Sequence, residues 1–180
     1  IQTAVRSYNS LANYIYNGIS PQITGVFTTS PTASTVNNLT ISNNACLSLS
    51  QSLTVSGSAA FTDGALLLNG NSLTLNNIVS TVNGSITGSP GSDLSIGGNN
   101  TAEMNLPPVN GSIRNFTLNK TGTTNSVNLS SSLILDASGS TSLISGQLNT
   151  IYDITINGAT VFGAGSINAT SGTITYNSNL

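Results

Sequence analysis

The sequence predicts an all-β protein folded as a right-handed parallel β-helix (β-solenoid) of short strands, with two internal repeats of about 80 residues. Three observations support this prediction. Apolar and small polar residues alternate in short triplets, turn-forming residues separate the triplets, and the same order of triplets occurs twice. In a chain of 180 residues these features indicate one elongated domain.

Short alternating triplets are the strongest pattern in the sequence. Each contains an apolar residue, a small polar residue and a second apolar residue, so the two apolar side chains share one face of a strand. Such strands have two or three inward side chains, which are too few for the sheets of a β-sandwich, the minority alternative. The triplets lie at residues 39–41, 47–49, 53–55, 73–75, 94–96, 116–118, 127–129, 154–156 and 174–176.

Residues that favour turns separate these triplets. Asn, Ser, Thr and Gly together make up 96 of the 180 residues, and Asn and Gly tolerate the left-handed backbone that tight turns need. The gaps between triplets predict three-sided coils of roughly 20 to 27 residues. Because coils stack in register, we expect the Asn side chains at the turns to form ladders of hydrogen-bonded amides.

The sequence also repeats over a longer distance than the triplets. Six pairs of segments align in the same order at offsets of roughly 80 residues, beginning with VNNLTI at 36–41 and IRNFTL at 113–118. Six ordered matches predict two copies of one unit. We therefore assign residues 1–35 to an entry segment and first coil, 36–112 to the first solenoid repeat and 113–180 to the second, within one continuous domain.

The composition excludes several classes of function. The chain has three Lys or Arg residues, five Asp or Glu residues, one Cys and no His. It therefore lacks the basic stripe of a nucleic-acid binder, the histidine of a Ser–His–Asp hydrolase and the ligands of a zinc site. No apolar run approaches the ~20 residues of a membrane span. We expect no enzymatic activity, no cofactor, no metal, no nucleic acid and no membrane span.

The five acidic residues are the only candidates for catalysis: Asp63, Asp93, Glu103, Asp136 and Asp153. Enzymes that cleave polysaccharides with paired carboxylates need those groups close together on neighbouring elements. These acids do not recur at one position of the aligned repeats. We therefore assign them to solvated turns and predict no catalytic residue, with a polysaccharide lyase as a minor alternative.

Three other residue types suggest functions that the sequence supports less well. The lone Cys46 is expected to be an inert thiol that faces outward or lies in a turn. Tyr14 and Tyr16 share one face of a strand and are assigned to the core of the first coil rather than to a sugar-binding platform. Outward Thr residues could form an ice-binding array, but Thr-x-Thr occurs only at 121–123 and 173–175.

Several segments together resemble a known family. ANYIYNG at 12–18, PQITG at 21–25, VNNLTI at 36–41 and LSLSQSLTV at 47–55 are similar to the repeat regions of large secreted surface proteins of Bacteroidota-type bacteria. The similarity covers most of the chain and is clearest over residues 12–76. It implies export to the cell surface and roles in adhesion, surface coating or movement on surfaces, and it brings no catalytic residues with it.

These expectations lead to a function at the level of a protein class. We expect a structural, non-enzymatic segment of an extracellular bacterial surface fibre or adhesin stalk. Its expected partners are copies of itself or neighbouring repeats, stacked end to end through the unpaired edges of the terminal coils. The alternative is a β-helix module that binds surface polysaccharide along a polar groove.

Overall fold

The computed structural model describes residues 11–25 and 34–177 of the chain. These residues form 22 β-strands and no helix, and every predicted triplet lies in or overlaps a strand. No helix in this part of the chain is long and apolar enough to cross a membrane. Parallel pairing joins the strands throughout, so the structure confirms the all-β parallel β-helix. Its right-handed coil stays a prediction, favoured because parallel crossovers are nearly always right-handed.

The strands are mostly short, and their bounds are as follows. They are β1 Asn13–Tyr16, β2 Gln22–Ile23, β3 Ser34–Val36, β4 Asn38–Ser48, β5 Leu53–Val55, β6 Ala59–Leu67, β7 Ser72–Leu75, β8 Val79–Thr81, β9 Ser85–Thr87, β10 Asp93–Gly98 and β11 Met104–Asn105. They continue with β12 Val109–Asn110, β13 Ser112–Ile113, β14 Asn115–Lys120, β15 Ser126–Asn128, β16 Leu133–Leu135, β17 Ser140–Ser145, β18 Gln147–Thr150, β19 Ile154–Ile156, β20 Ala159–Phe162, β21 Ser166–Ala169 and β22 Ile174–Tyr176.

The coils have three faces, each a stack of parallel strands. The long face is one seven-stranded sheet in the order β3, β5, β7, β10, β14, β17 and β20. The asparagine face begins with β1 and the first halves of β4 and β6, continues with β8, and is completed by β11, β15, β18 and β21. The third face contains β2, the second halves of β4 and β6, and then β9, β12, β13, β16, β19 and β22.

The structural repeat is the single coil. On the long face Ser34 pairs in register with Leu53, and Phe116 pairs with Thr141. The length of one coil is therefore close to the one that the triplets predict. The aligned segments of the two predicted units occupy different faces: Leu39 lies on the asparagine face and Phe116 on the long face. The division of the chain at residue 113 stays a prediction.

The core is a narrow column of aliphatic side chains inside the coils. Inward residues from the three faces stack on the same positions of the next coil, as in the row Leu53, Leu73, Leu94 and Phe116 of the long face, whose members are at most 3% exposed. Removing these apolar surfaces from water stabilises the fold, and parallel hydrogen bonds join each coil to its neighbours. Tyr16 is buried in the first coil, as predicted.

Candidate functional site

The five acidic residues do not form a cluster. Asp63 lies in β6, Asp93 begins β10, and Glu103, Asp136 and Asp153 lie in three separate turns. In the described part of the chain no group of three or more His, Cys, Asp or Glu residues is close enough to hold a metal ion. Among the acids of these ranges, only Asp93 takes part in an extended network of polar side chains.

Asp93 is the centre of this polar network, which lies where the strands of the long face begin. Arg114 donates from Nε to Oδ1 at 3.0 Å and from Nη2 to Oδ2 at 2.8 Å. The hydroxyl of Ser72 in the preceding coil donates to Oδ2 at 3.1 Å, and Asn115 donates to Oδ1 through its backbone and side-chain N–H groups. Asn115 in turn accepts a hydrogen bond from the backbone of Ser140. The network therefore links four successive coils.

The pKa of Asp93 follows from these contacts. Burial raises the pKa, but the hydrogen bonds and the charge of Arg114, with smaller effects of Ser72 and Asn115, outweigh it and hold the pKa below the ordinary value. A carboxyl group kept ionised by a paired guanidinium cannot act as a general acid near neutral pH. The arrangement therefore serves as a brace between coils.

The brace predicts a stability loss that depends on pH. We expect Asp93→Ala to lower the free energy of unfolding by about 1–3 kcal/mol at neutral pH, because partly buried donors lose their acceptor. Since the folded-state pKa is lowered, this contribution is present above the unfolded pKa of about 3.9 and is lost as the pH falls through the folded value. Urea unfolding at neutral and acidic pH should show that the difference in free energy of unfolding between wild type and Asp93→Ala becomes smaller in acid.

A matched acid serves as the control for that measurement. Asp63 accepts a hydrogen bond from the Gly64 amide at a bend of β6, and among the described residues it has no ion pair. Asp63→Ala should therefore cost less than Asp93→Ala at neutral pH. If the difference in free energy of unfolding between wild type and Asp93→Ala stays constant as the pH falls, the stabilising role of the ionised Asp93 is contradicted.

Lys120 is a buried polar residue that no sequence pattern predicted to have a structural role. Its side chain is fully buried at the end of β14, where Nζ donates to the carbonyl oxygens of Ala102, at 2.8 Å, and Thr124. Burial lowers the pKa of Lys120, and the negative charge of Glu103 opposes that shift. Lys120 therefore ties together the turns that follow β10 and β14.

Asparagine ladders form, but on a strand face as well as at turns. Four Asn residues point outward from four successive strands of the asparagine face: Asn105, Asn128, Asn149 and Asn168. The side-chain amide of each of the last three donates to the Oδ1 of the Asn in the preceding coil, at 2.9 to 3.2 Å. A second ladder joins Asn157 and Asn177 after β19 and β22. These amides satisfy one another, which holds successive coils in register.

The long face presents a different kind of row, which we call the hydroxyl column. In β20 the middle outward residue is Val161, but in each of the other six strands a hydroxyl residue at that position pairs in register with the hydroxyl residue of a neighbouring coil. All six are partly exposed, and within the described part of the chain none of their hydroxyl groups bonds to another group of the protein. The members are Thr35, Thr54, Thr74, Ser95, Thr117 and Ser142.

The remaining candidates lie apart from these networks. Cys46 is a free, half-buried thiol in β4, beside the buried Leu47. The Thr-x-Thr segments at 121–123 and 173–175 lie in a turn and at the start of β22, and they do not form a ladder with each other.

Tyr14 is partly buried and packs against the core, as predicted. Tyr152 and Tyr176 are each 38% exposed near the end of the solenoid, on different coils.

The last coil exposes side chains whose counterparts in the coil below are buried. Phe162 occupies the inward position held by Leu143 in the preceding coil, yet it is 53% exposed. Tyr176 likewise occupies the inward position of Ile156 and is 38% exposed. Among the described strands none pairs with the outer edges of β20, β21 and β22. This end of the stack is therefore an apolar plate with free strand edges.

No protein-family model, no curated protein and no solved structure matches this chain.

Proposed function

We propose that this chain is a structural, non-enzymatic segment of an extracellular bacterial surface fibre or adhesin stalk. Its coils would stack on coils of other copies or of neighbouring repeats. The β-solenoid fold is compatible with a structural or surface module. The proposal of an extracellular location and a stalk rests on the resemblance of the sequence, clearest over residues 12–76, to secreted surface repeats.

The apolar plate of the last coil carries this proposal. One coil binds the next through parallel strand edges and stacked inward side chains, and this contact recurs along the whole long face. The plate presents one side of that contact, with Phe162 and Tyr176 at the inward positions. Unpaired edges of this kind favour pairing with another chain unless charges or bulges protect them. A head-to-tail contact between different surfaces builds an open filament when the rotation between copies does not close a ring, and coils stacked along one axis would extend as a rod.

Neighbouring residues of β20 provide a test of stacking. Phe162 lies at an inward position and Val161 at an outward one, and both are more than half exposed. We expect wild-type protein to form larger species with rising concentration in sedimentation velocity and to appear as rods in electron micrographs. Phe162→Lys should abolish this association because it places a charge in the stacked core. Val161→Lys is the matched control and should leave association intact.

Two results would contradict the proposal. One is a chain that stays monomeric at high concentration while the amides of β20, β21 and β22 are protected from hydrogen exchange, because the plate would then be covered within the chain. The other is turnover of common polysaccharides that disappears on changing Asp63, Asp93 or Asp136, because the chain would then be an enzyme.

A further inference from the structure

Five Asn residues of the chain are followed directly by Gly, and these Asn–Gly pairs share a reactive chemistry. The backbone nitrogen of the second residue is placed to attack the side-chain carbonyl carbon of the Asn, and Gly has no side chain to hinder the approach. In an unfolded chain all five pairs are open to this attack, so the folded structure determines which of them reacts. The Asn residues are Asn17, Asn69, Asn83, Asn110 and Asn157.

The fold protects four of the five pairs by printed contacts or by burial. Gly158 is buried, and the side chain of Asn157 is held at both ends: Nδ2 donates to the Leu135 carbonyl oxygen at 3.0 Å, and Oδ1 accepts from Asn177 at 2.8 Å. In the other three pairs the Gly N–H group donates a hydrogen bond, which must break before the nitrogen attacks. The acceptors are Gln22 Oε1 for Gly18, the hydroxyl oxygens of Ser89 and Ser92 for Gly70, and the Phe61 carbonyl oxygen for Gly84, at 3.0 to 3.2 Å.

The pair formed by Asn110 and Gly111 has neither kind of protection. Both residues are exposed, and in the described part of the chain neither the Asn110 side-chain amide nor the Gly111 N–H group has a hydrogen-bond partner. Gly111 has a φ of +76°, and an added Cβ would lie 2.6 Å from the Gly88 carbonyl oxygen. The fold therefore requires Gly at this position and leaves its nitrogen free.

The other side of the same peptide group favours the attack. The Asn110 carbonyl oxygen accepts a hydrogen bond from the Gly88 N–H group at 2.8 Å. A hydrogen bond to the oxygen of a peptide group polarises that group, which makes its N–H a better acid. The attacking species is the deprotonated nitrogen, so this contact assists the reaction at Gly111.

We propose that Asn110 is a site of spontaneous deamidation in the folded protein. The Gly111 nitrogen gives its proton to solvent and forms a bond to the Asn110 side-chain carbonyl carbon, while the C–N bond of the side-chain amide breaks and ammonia leaves. The product is a cyclic imide. Water then adds to one of its two carbonyl carbons and opens the ring, leaving either aspartate or isoaspartate at position 110.

The position of Asn110 in the fold determines what the reaction changes. Asn110 ends β12, the last strand of the sheet that contains β1, and Gly111 alone separates it from β13, which begins the next sheet of the third face. Both strands are two residues long. Isoaspartate adds one carbon to the main chain between them, and either product adds a negative charge. The contact of Asn110 with Gly88 should therefore weaken, and the Gly88 amide should exchange hydrogen faster in aged protein than in fresh protein.

Peptide mapping by mass spectrometry tests the inference on the wild-type chain. Purified protein is incubated at neutral and mildly alkaline pH, and the deamidated fraction is followed at each of the five Asn–Gly pairs. In folded protein Asn110 should react several-fold faster than the other four, and its rate should rise with pH because the deprotonated nitrogen is the nucleophile. The same chain unfolded in guanidinium chloride is the control, and there the five rates should become similar.

A double variant tests why the other pairs are slow. Asn69 and Gly70 are exposed like Asn110 and Gly111, but two serine hydroxyl groups hold the Gly70 amide. In Ser89→Ala/Ser92→Ala, with folding checked by circular dichroism, the rate at Asn69 should rise several-fold. The rate at Asn83 should not change, because the acceptor of the Gly84 amide is the Phe61 backbone.

Three results would overturn the inference. One is folded wild-type protein in which Asn110 deamidates no faster than the other four Asn residues. A second is the same order of rates in folded and unfolded protein, because local sequence would then determine reactivity. The third is a folded double variant in which Asn69 stays as slow as in the wild type, because an unbonded amide would then not be the cause. Since the first two comparisons use wild-type protein, they decide the inference even where the double variant does not fold.

Discussion

Gly64→Ala is expected to destabilise the solenoid by about 4 kcal/mol or more, which is among the largest effects of a single substitution. Gly64 lies at a bend of β6 with φ of +76°, a conformation that costs L-residues about 1–2 kcal/mol. In addition, a Cβ atom built there would lie 1.7 Å from the carbonyl oxygen of Asn43 in the preceding coil. The clash involves backbone, so a change of rotamer cannot relieve it.

Gly70 provides the matched control for this prediction. Its φ is +78°, almost the same as that of Gly64, but the nearest atom to an added Cβ is the Pro90 carbonyl oxygen at 3.8 Å. Gly70→Ala should therefore carry the conformational cost without the clash, and lower stability by about 1 kcal/mol. Urea denaturation midpoints of both variants measure the difference. Equal losses in the two variants would show that backbone conformation, and not contact between coils, determines the effect.

The alternating triplets predicted the fold class because a strand with one buried face needs apolar residues at every second position. The triplets did not, however, show which segments of the chain stack on one another. Triplets of the same type occur on all three faces, as at Leu73 on the long face and Ile154 on the third face. A sequence alignment cannot distinguish one face from another, so it joined segments that differ by one face. The triplets predicted the approximate length of a coil, but the register that joins each strand to its neighbour in the next coil became visible only in the structure.

The polar networks were harder to predict than the core. Asp93 and Arg114 meet because one coil separates them, yet the length of a coil changes along the solenoid. A fixed period therefore does not reveal such pairs. Lys120 carried no signal in the sequence, because its burial depends on turns after β10 and β14 that have no regular pattern. The hydroxyl column was missed because it uses one Thr or Ser per coil.

Phe61→Ala is expected to lower the free energy of unfolding by about 3–5 kcal/mol. Phe61 is 1% exposed and is one of the two largest apolar side chains buried in the core. Its register partners are Ile41 in the coil below and Thr81 in the coil above. Loss of the ring leaves a cavity between coils that cannot close, because hydrogen-bonded strands fix the distance between them.

Phe162→Ala separates the contribution of the ring from that of its place in the stack. Phe162 also occupies an inward position, but in the last coil it is 53% exposed. In dilute, monomeric protein its removal should cost less than half as much as Phe61→Ala, because much of the ring is already in contact with water. At concentrations where copies stack, the proposed contact buries Phe162, so the difference in stability between wild type and Phe162→Ala should grow with protein concentration. A difference independent of concentration would show that the plate stays exposed and that copies do not stack through it.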